Sequence, residues 1–301
     1  MGADAVPRLV ELELTHACQL KCTHCLTRSH PGAHHGAMTL EDWKAAVRQA
    51  RDCGAETIQL IGGEPTASPH WLELLDYVLG FEGLKVQVYS NLYSVTAQHW
   101  DAFSNPRVTL GTSYYSDVAA EHDAVTTKPG SHARTRANIV TALNLGIPLQ
   151  VGIVRVLPGQ RADEAKAELI GLGVPEDLVK IDRARGVGRA SPNPDIDAPV
   201  TELCGRCGDG RLAILPDGTV APCVLGRGLR AGNLLDGATL AGILAGPTWN
   251  RHMRSIPRRS SDPCTPDDSN DCDPARTPAC APAYDYTPPF PTIRLTQRTK
   301  D

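Results

Sequence analysis

The chain has 301 residues, enough for one large core or for a domain of about 200 residues with a smaller one beside it. Its formal net charge is −4, so it lacks the basic excess with which proteins grip nucleic acid through phosphates, and 41% apolar residues can build a packed core. No run of about 18 apolar residues occurs, and the opening MGADAVPRLVELEL lacks the basic start and apolar middle of a secretory signal; the expectation is a cytoplasmic protein off the membrane.

Residues 8–14 (RLVELEL) alternate apolar and charged side chains, as a half-buried strand does. Residues 39–53 read as a helix: Thr39 caps it, Asp42 stands three positions on, and Trp43, Val47 and Ala50 share one face. A strand at 56–61 ends at Gly62-Gly63, followed by a helix at 70–80 and a strand at 86–91. The alternation continues through a helix at about 95–103, a strand at 108–113, a helix at 132–145, a strand at 149–157, a helix at 161–172 and a strand at 179–184. Such a rhythm predicts parallel strands with crossover helices. Six strand–helix units fit an incomplete barrel better than a closed one of eight, so the expected fold is α/β, a partial (β/α)6 TIM-like barrel.

After residue 190 the texture changes. SPNPDIDAPV is a Pro-rich linker, and LAILPDGTVAPC reads as a hairpin turning at Asp217-Gly218. Residues 238–256 read as one or two short helices. From 257 the chain is rich in Pro, Asp and Cys and poor in apolar residues, which builds no core unless something staples it. The expected division is a partial barrel at 1–190 and a small cysteine-rich extension at 191–301.

The chain contains ten cysteines. In a reducing compartment, clustered cysteines point to metal ligands or redox groups. Three form Cys18-x3-Cys22-x2-Cys25 in the loop after the first strand, six lie between 204 and 280, and Cys53 stands alone on a helix, where core packing is its reading. Three thiolates on one short loop can wrap a corner of a [4Fe–4S] cluster and leave the fourth iron open. The rival is a zinc site, with His16 or His24 as the fourth ligand.

That spacing, directly after a first strand, resembles the signature of the radical S-adenosylmethionine (SAM) superfamily. The resemblance implies that the amine and carboxylate of SAM chelate the fourth iron, and that one electron cleaves the sulfonium to methionine and a 5′-deoxyadenosyl radical. The residue before the third cysteine is usually aromatic in that family; here it is His24, whose flat imidazole can pack on adenine in the same way. Gly62-Gly63-Glu64-Pro65-Thr66 follows the second strand, where the family carries its GGEP motif. Glycines admit close backbone approach, and the resemblance assigns this edge to the amino group of SAM. Ser90, Asn91 and Ser113 end the third and fourth strands, where the family places polar contacts to ribose or carboxylate. Arg155 and Arg183 read first as solvated surface residues and second as partners for the carboxylate of SAM.

Cys207-x10-Gly218-x4-Cys223 is similar to the opening of the C-terminal extensions called SPASM and twitch domains. There a hairpin carries ligands of an auxiliary [4Fe–4S] cluster. Six cysteines do not fully ligate two cubes, so one auxiliary cluster is expected, on Cys207 and Cys223, with Cys204 and one or more of the tail residues, Cys272 and Cys280 among them, completing the ligand set. Cys264 is a candidate hydrogen-atom donor or a further ligand, and zinc is again the rival occupant. Gly186-x-Gly188 follows a strand like a dinucleotide loop but lacks the third glycine. Asp267-x-Ser269-x-Asp271 lacks the Gly and Glu of a calcium loop. His30, His34 and His35 occupy a Gly-rich stretch, either a surface loop or a substrate gate.

The resemblance implies an enzyme whose first cluster is reduced by flavodoxin or ferredoxin. Its expected substrate is a ribosomal peptide, with epimerisation, oxidation or cross-linking at carbon as the outcome in natural-product maturation. The alternatives are a dehydrogenase or epimerase of an aminocyclitol or aminoglycoside and, in another class, a non-catalytic zinc-binding module. Peptide maturases often carry a leader-binding domain before the barrel. With the first strand near residue 8, a separate leader-peptide-binding protein is the expected source of that function.

Overall fold

The computed structural model describes residues 6–193 and 199–258. Six strands and their crossovers appear in the order predicted: β1 (Leu9–Glu13), α1 (Leu40–Asp52), β2 (Thr57–Ile61), α2 (Trp71–Leu79), β3 (Lys85–Tyr89), α3 (Ala97–Phe103), β4 (Val108–Ser113), α4 (Ala119–Thr126), α5 (Ser131–Asn144), β5 (Leu149–Arg155), α6 (Ala162–Leu172) and β6 (Val179–Arg183). The cysteine-rich part adds β7 (Arg211–Ile214), β8 (Thr219–Ala221), β9 (Gly232–Asn233), α7 (Leu240–Ala245) and α8 (Pro247–Ser255). Among these described residues, no helix is long and apolar enough to cross a membrane.

Strands β1 to β6 are parallel and lie in chain order, which makes an open (β/α)6 sheet. The predicted hairpin forms at Asp217-Gly218, with β7 and β8 antiparallel and Gly218 at φ +83°. Its first strand does more than turn: β7 runs parallel to β1 and continues the sheet, giving the order β6-β5-β4-β3-β2-β1-β7-β8-β9. The cysteine hairpin is therefore hydrogen-bonded to the strand that leads into Cys18.

Alternate strand residues sort onto two faces. Val10, Leu12, Ile58, Leu60, Val86, Val88, Leu110, Val151 and Ile153 pack in one core with the helices. The intervening Glu11, Glu13, Gln59, Gln87 and Gln150 are buried polar residues on the other face. Gln59 donates to Gln87, and Gln150 donates to the Tyr89 hydroxyl at 3.0 Å. Parallel strands covered on both faces usually read as continuous apolar runs; these do not, because their second face lines a barrel interior with polar contents.

Thr39 and Asp42 form the predicted capping box, each side chain accepting from the other's amide. β5 ends two residues earlier than expected because the Gln160 side chain takes over its backbone partners. Its carbonyl accepts from Val156 and Leu157, and its amide donates to Val154 and Tyr115. Helix α4 was not expected; among its residues only His122, Val125 and Thr126 are buried, so it shows little apolar periodicity.

Candidate active site at the strand C-termini

Cys18, Cys22 and Cys25 sit in the loop after β1, above the C-terminal ends of the parallel strands. The loop is held from two sides. Lys21 and Thr23 donate their amides to the carbonyls of Thr126 and Val125 at 3.2 and 2.9 Å, and the Thr127 hydroxyl donates to Lys21 O. From the other side the Arg189 guanidinium donates to the carbonyls of Cys22 (2.8 Å) and Ser29 (2.6 Å), while its amide donates to Cys25 O. The Gly186-x-Gly188 stretch thus grips the cysteine loop. Gly188 stands at φ +55°, and a β-carbon there would lie 2.3 Å from Cys25 O, so only glycine admits this approach.

Each of the three sulfurs has a polar hydrogen aimed at it. Asn91 Nδ2 lies 3.5 Å and the Leu20 amide 3.4 Å from Cys18 Sγ. The Tyr115 hydroxyl meets Cys22, and Thr27 Oγ1 lies 3.3 Å from Cys25 Sγ. Burial, then repulsion from Cys25, pushes the Cys22 thiol up to about 12; burial, then the neighbouring Glu64, pushes Cys18 up as well. Cys18 and Cys22 therefore become thiolates only beside a strong positive charge. Among the described residues no three His, Cys, Asp or Glu side chains converge on a point as one ion requires. Three thiols that line one cavity are a donor set that fits an iron–sulfur cluster. His16, weighed as a zinc ligand, turns its Nδ1 to Glu13 at 3.4 Å. His24 stands edge-on to Tyr115 at 5.2 Å and lines the cavity.

That cavity, about 290 Å³, runs from the three cysteines past Gly62, Gly63, Ser90, Asn91 and Ser113. All five predicted contact residues other than Glu64 and Pro65 thus share one wall. Gly62 and Gly63 are packed on the cysteine loop itself: Gly63 N donates to Thr15 O, and a β-carbon on Gly63 would lie 2.4 Å from Ala17 O. Glu64 does not line the cavity. Fully buried, it accepts from the Thr66 amide, the Thr66 hydroxyl and the Asn91 amide at 3.2, 2.8 and 2.8 Å, which braces the end of β2 against the end of β3. Burial raises its carboxyl above the ordinary range, against these hydrogen bonds, which lower it. Pro65 opens the 3-10 turn that follows.

Sequence reasoning missed Tyr115, Arg189 and the cavity-lining Asp182, Arg185 and Leu225; Arg183, weighed as a partner for the carboxylate of SAM, lines the same cavity. Arg183 is half-buried there and pairs with Glu202 at 3.2 Å, whereas Arg155 is exposed and pairs with Asp163. The histidine loop is tied at several points. His35 meets Thr15 at 2.8 Å, His34 stacks edge-on with His16, the Cys18 amide donates to His30 O, and Ala37 and Met38 both donate to Pro216 O.

Asp123 secures the wall behind the cysteine loop. Its carboxylate accepts from the amides of Gly130 and His132 and from the Ser131 hydroxyl at the start of α5. Burial pushes its carboxyl up, but these donors outweigh burial and hold it below the usual carboxylate value. Its contribution to stability is thus present above the unfolded value and lost as pH falls through the folded one. Asp123→Asn is expected to cost about 1–2 kcal/mol at neutral pH. The gap from wild type should close below about pH 4, measured by urea denaturation across pH.

In the second cysteine set, Cys204, Cys207 and Cys223 are buried, with Cys207 Sγ and Cys223 Sγ 2.7 Å apart. Their neighbours and their burial raise the Cys207 thiol. Such crowding of buried thiols fits a shared metal partner. Cys264, Cys272 and Cys280 lie outside the described residues. Cys53 caps α1 and packs half-buried against the main core. The loop after Cys223 is bolted to β1: Val224 N donates to Glu11 at 2.9 Å, and Arg227 binds both oxygens of Glu13 at 3.1 Å.

An open parallel barrel with cavity-lining thiols at its strand ends defines a cluster-holding barrel enzyme. The chain belongs to the radical SAM superfamily, whose family profile matches residues 12–169; a second profile, the iron–sulfur cluster-binding SPASM domain, matches residues 204–273. It is a radical SAM enzyme, and SAM and iron–sulfur clusters are its cofactors. Among curated relatives it is 31% identical over 150 residues to the antilisterial bacteriocin subtilosin biosynthesis protein AlbA of Bacillus subtilis, covering 49% of this chain and 33% of AlbA. It is 30% identical over 146 residues to the AdoMet-dependent heme synthase of Methanosarcina barkeri, covering 48% and 42%. These alignments span under half the length of either relative. The fold is that of Streptococcus suis SuiB, solved with its precursor peptide SuiA: TM-score 0.66 at 14% identity, over 83% of this chain and 67% of SuiB.

Proposed function

We propose that this enzyme abstracts hydrogen from a carbon of a ribosomal peptide during natural-product maturation. The observation that carries the reading is one cavity lined both by the three loop cysteines and by the charged Asp182, Arg183 and Arg185, with Leu225 from the loop after Cys223 beside them. AlbA acts in bacteriocin biosynthesis and SuiB binds a precursor peptide, which supports a peptide substrate over an aminocyclitol or aminoglycoside.

Cys18, Cys22 and Cys25 hold three irons of a [4Fe–4S] cluster. With SAM on the fourth iron, that group supplies a 5′-deoxyadenosyl radical. Gly62, Gly63, Ser90, Asn91 and Ser113 receive the cosubstrate, and Glu64 with Pro65 keeps their strand ends in register. Cys207, Cys223 and Cys204, with Cys272 or Cys280 as the fourth ligand, hold one auxiliary cluster, and Cys264 serves as the hydrogen-atom donor. The boundary between barrel and auxiliary-cluster extension falls near residue 190. The chain works in the cytoplasm with flavodoxin or ferredoxin as donor and a separate leader-binding protein.

Anaerobic reaction of the reconstituted enzyme with precursor peptides encoded near it, under dithionite and SAM, tests the substrate class. A peptide that loses two hydrogens, or gains deuterium from solvent at one carbon, is the expected product. Turnover of an aminocyclitol with every peptide unchanged overturns the reading.

A further inference from the structure

Among the described residues the outer face of the cysteine loop is cationic, in a chain whose net charge is −4. Three segments build it, 14–40, 83–100 and 124–162, and none contains an Asp or Glu. Lys21, between the ligands Cys18 and Cys22, is exposed. Its amide and carbonyl are bonded to Thr126 and Thr127, which places Lys128 beside it. Lys128 and the exposed Arg134 both sit over the Tyr93 ring, at 5.6 and 4.8 Å from its centroid. The nearest acid in the chain, Asp123, is occupied by the amides and hydroxyl that begin α5. Tyr93 in turn donates its amide to Asn91 Oδ1 at 2.8 Å, and Asn91 Nδ2 reaches Cys18 Sγ. The cationic face thus stands one side chain away from a cluster ligand.

We infer that Lys21, Lys128 and Arg134, the last two stacked on Tyr93, form the docking face for an acidic one-electron carrier protein. The inference rests on the reading of Cys18, Cys22 and Cys25 as cluster ligands. Charge complementarity names the partner's chemistry: like charges would repel most acidic proteins from a chain of this net charge, and this face reverses that locally, raising the rate of encounter. Its position names the partner's task. One electron would pass from the carrier, which is oxidised by one, to the cluster that Cys18, Cys22 and Cys25 would hold, which is reduced by one. A substrate has no need of this face, because the charged Asp182 and Arg183 of the cavity lie on β6.

The test compares two reductants on the full reconstituted chain, reading 5′-deoxyadenosine formation. One is a reduced bacterial flavodoxin at limiting concentration, the other dithionite, which needs no docking face. Lys128→Glu with Arg134→Glu is expected to lower the flavodoxin-driven rate by about tenfold or more and leave the dithionite-driven rate and the iron content within about twofold. Lys128→Gln with Arg134→Gln should fall between. Raising ionic strength from about 0.05 to 0.5 M should slow the wild type with flavodoxin far more than the variant. An unchanged flavodoxin-driven rate overturns the inference, as does an equal fall with both reductants. A wild type that dithionite cannot drive overturns instead the cluster reading beneath it.

Discussion

Arg227→Ala is expected to destabilise the chain by about 3–5 kcal/mol, the cost of leaving a buried carboxylate without its ion-pair partner. Glu13 is 0% exposed, and Arg227 approaches both of its oxygens; the other basic side chain within 4.0 Å among the described residues is His16, at 3.4 Å, whose imidazole burial holds below its ordinary value. The variant should unfold at clearly lower urea concentration. Replacing both partners, Glu13→Leu with Arg227→Met, should recover most of the loss, because the cost lies in the stranded charge. A loss under about 1 kcal/mol for Arg227→Ala would mean that water reaches Glu13. This ion pair matters beyond stability, since it fastens the loop of Cys223 to the strand that delivers Cys18. Iron bound by the second cysteine set should therefore fall in Arg227→Ala under conditions in which the protein remains folded.

Glu64→Ala should do comparable damage by a different route. It orphans the Thr66 amide, the Thr66 hydroxyl and the Asn91 amide, each costing about 1–3 kcal/mol when buried without a partner. We expect a total loss of about 3–5 kcal/mol, since water entering the gap relieves part of it. The local consequence is sharper: Asn91 loses the brace that holds it on Cys18 and on the cavity wall, so SAM affinity should fall by about tenfold or more in the protein that stays folded. Glu64→Gln keeps the shape but turns one N–H toward a donor, and should fall between wild type and Glu64→Ala in both readouts. Equilibrium denaturation and SAM binding by calorimetry measure the two effects. Unchanged SAM affinity in Glu64→Ala would show that the strand ends keep their register without it.

Local signals were legible in the chain and tertiary ones were not. Thr39 and Asp42 lie three residues apart and cap their own helix, so sequence alone exposes them. The period-2 strands and the Asp217-Gly218 turn are equally local. The parallel pairing of β7 on β1 is not, because it depends on partners such as Glu11 and Ala213, which lie far apart in the chain. Helix α4 shows little apolar periodicity, and its C-terminal end offers the carbonyls of Val125 and Thr126 to the cysteine loop. Gly188 resembles a nucleotide-loop glycine for a physical reason: both uses need a backbone that something can approach closely. Here that something is Cys25 O rather than a phosphate. Glu64, prominent in its motif, is fully buried and braces the ends of β2 and β3 through the amides of Thr66 and Asn91, a role that its place in the motif did not announce.

The most direct measurement is iron content and 5′-deoxyadenosine formation in the Cys18→Ala, Cys22→Ala, Cys25→Ala triple variant, purified and reconstituted without oxygen beside the wild type. The account predicts a loss of about four irons per chain, the complement of one cube, together with all SAM cleavage, while iron on the second cysteine set persists. A triple variant that keeps the full iron content and still cleaves SAM would contradict it.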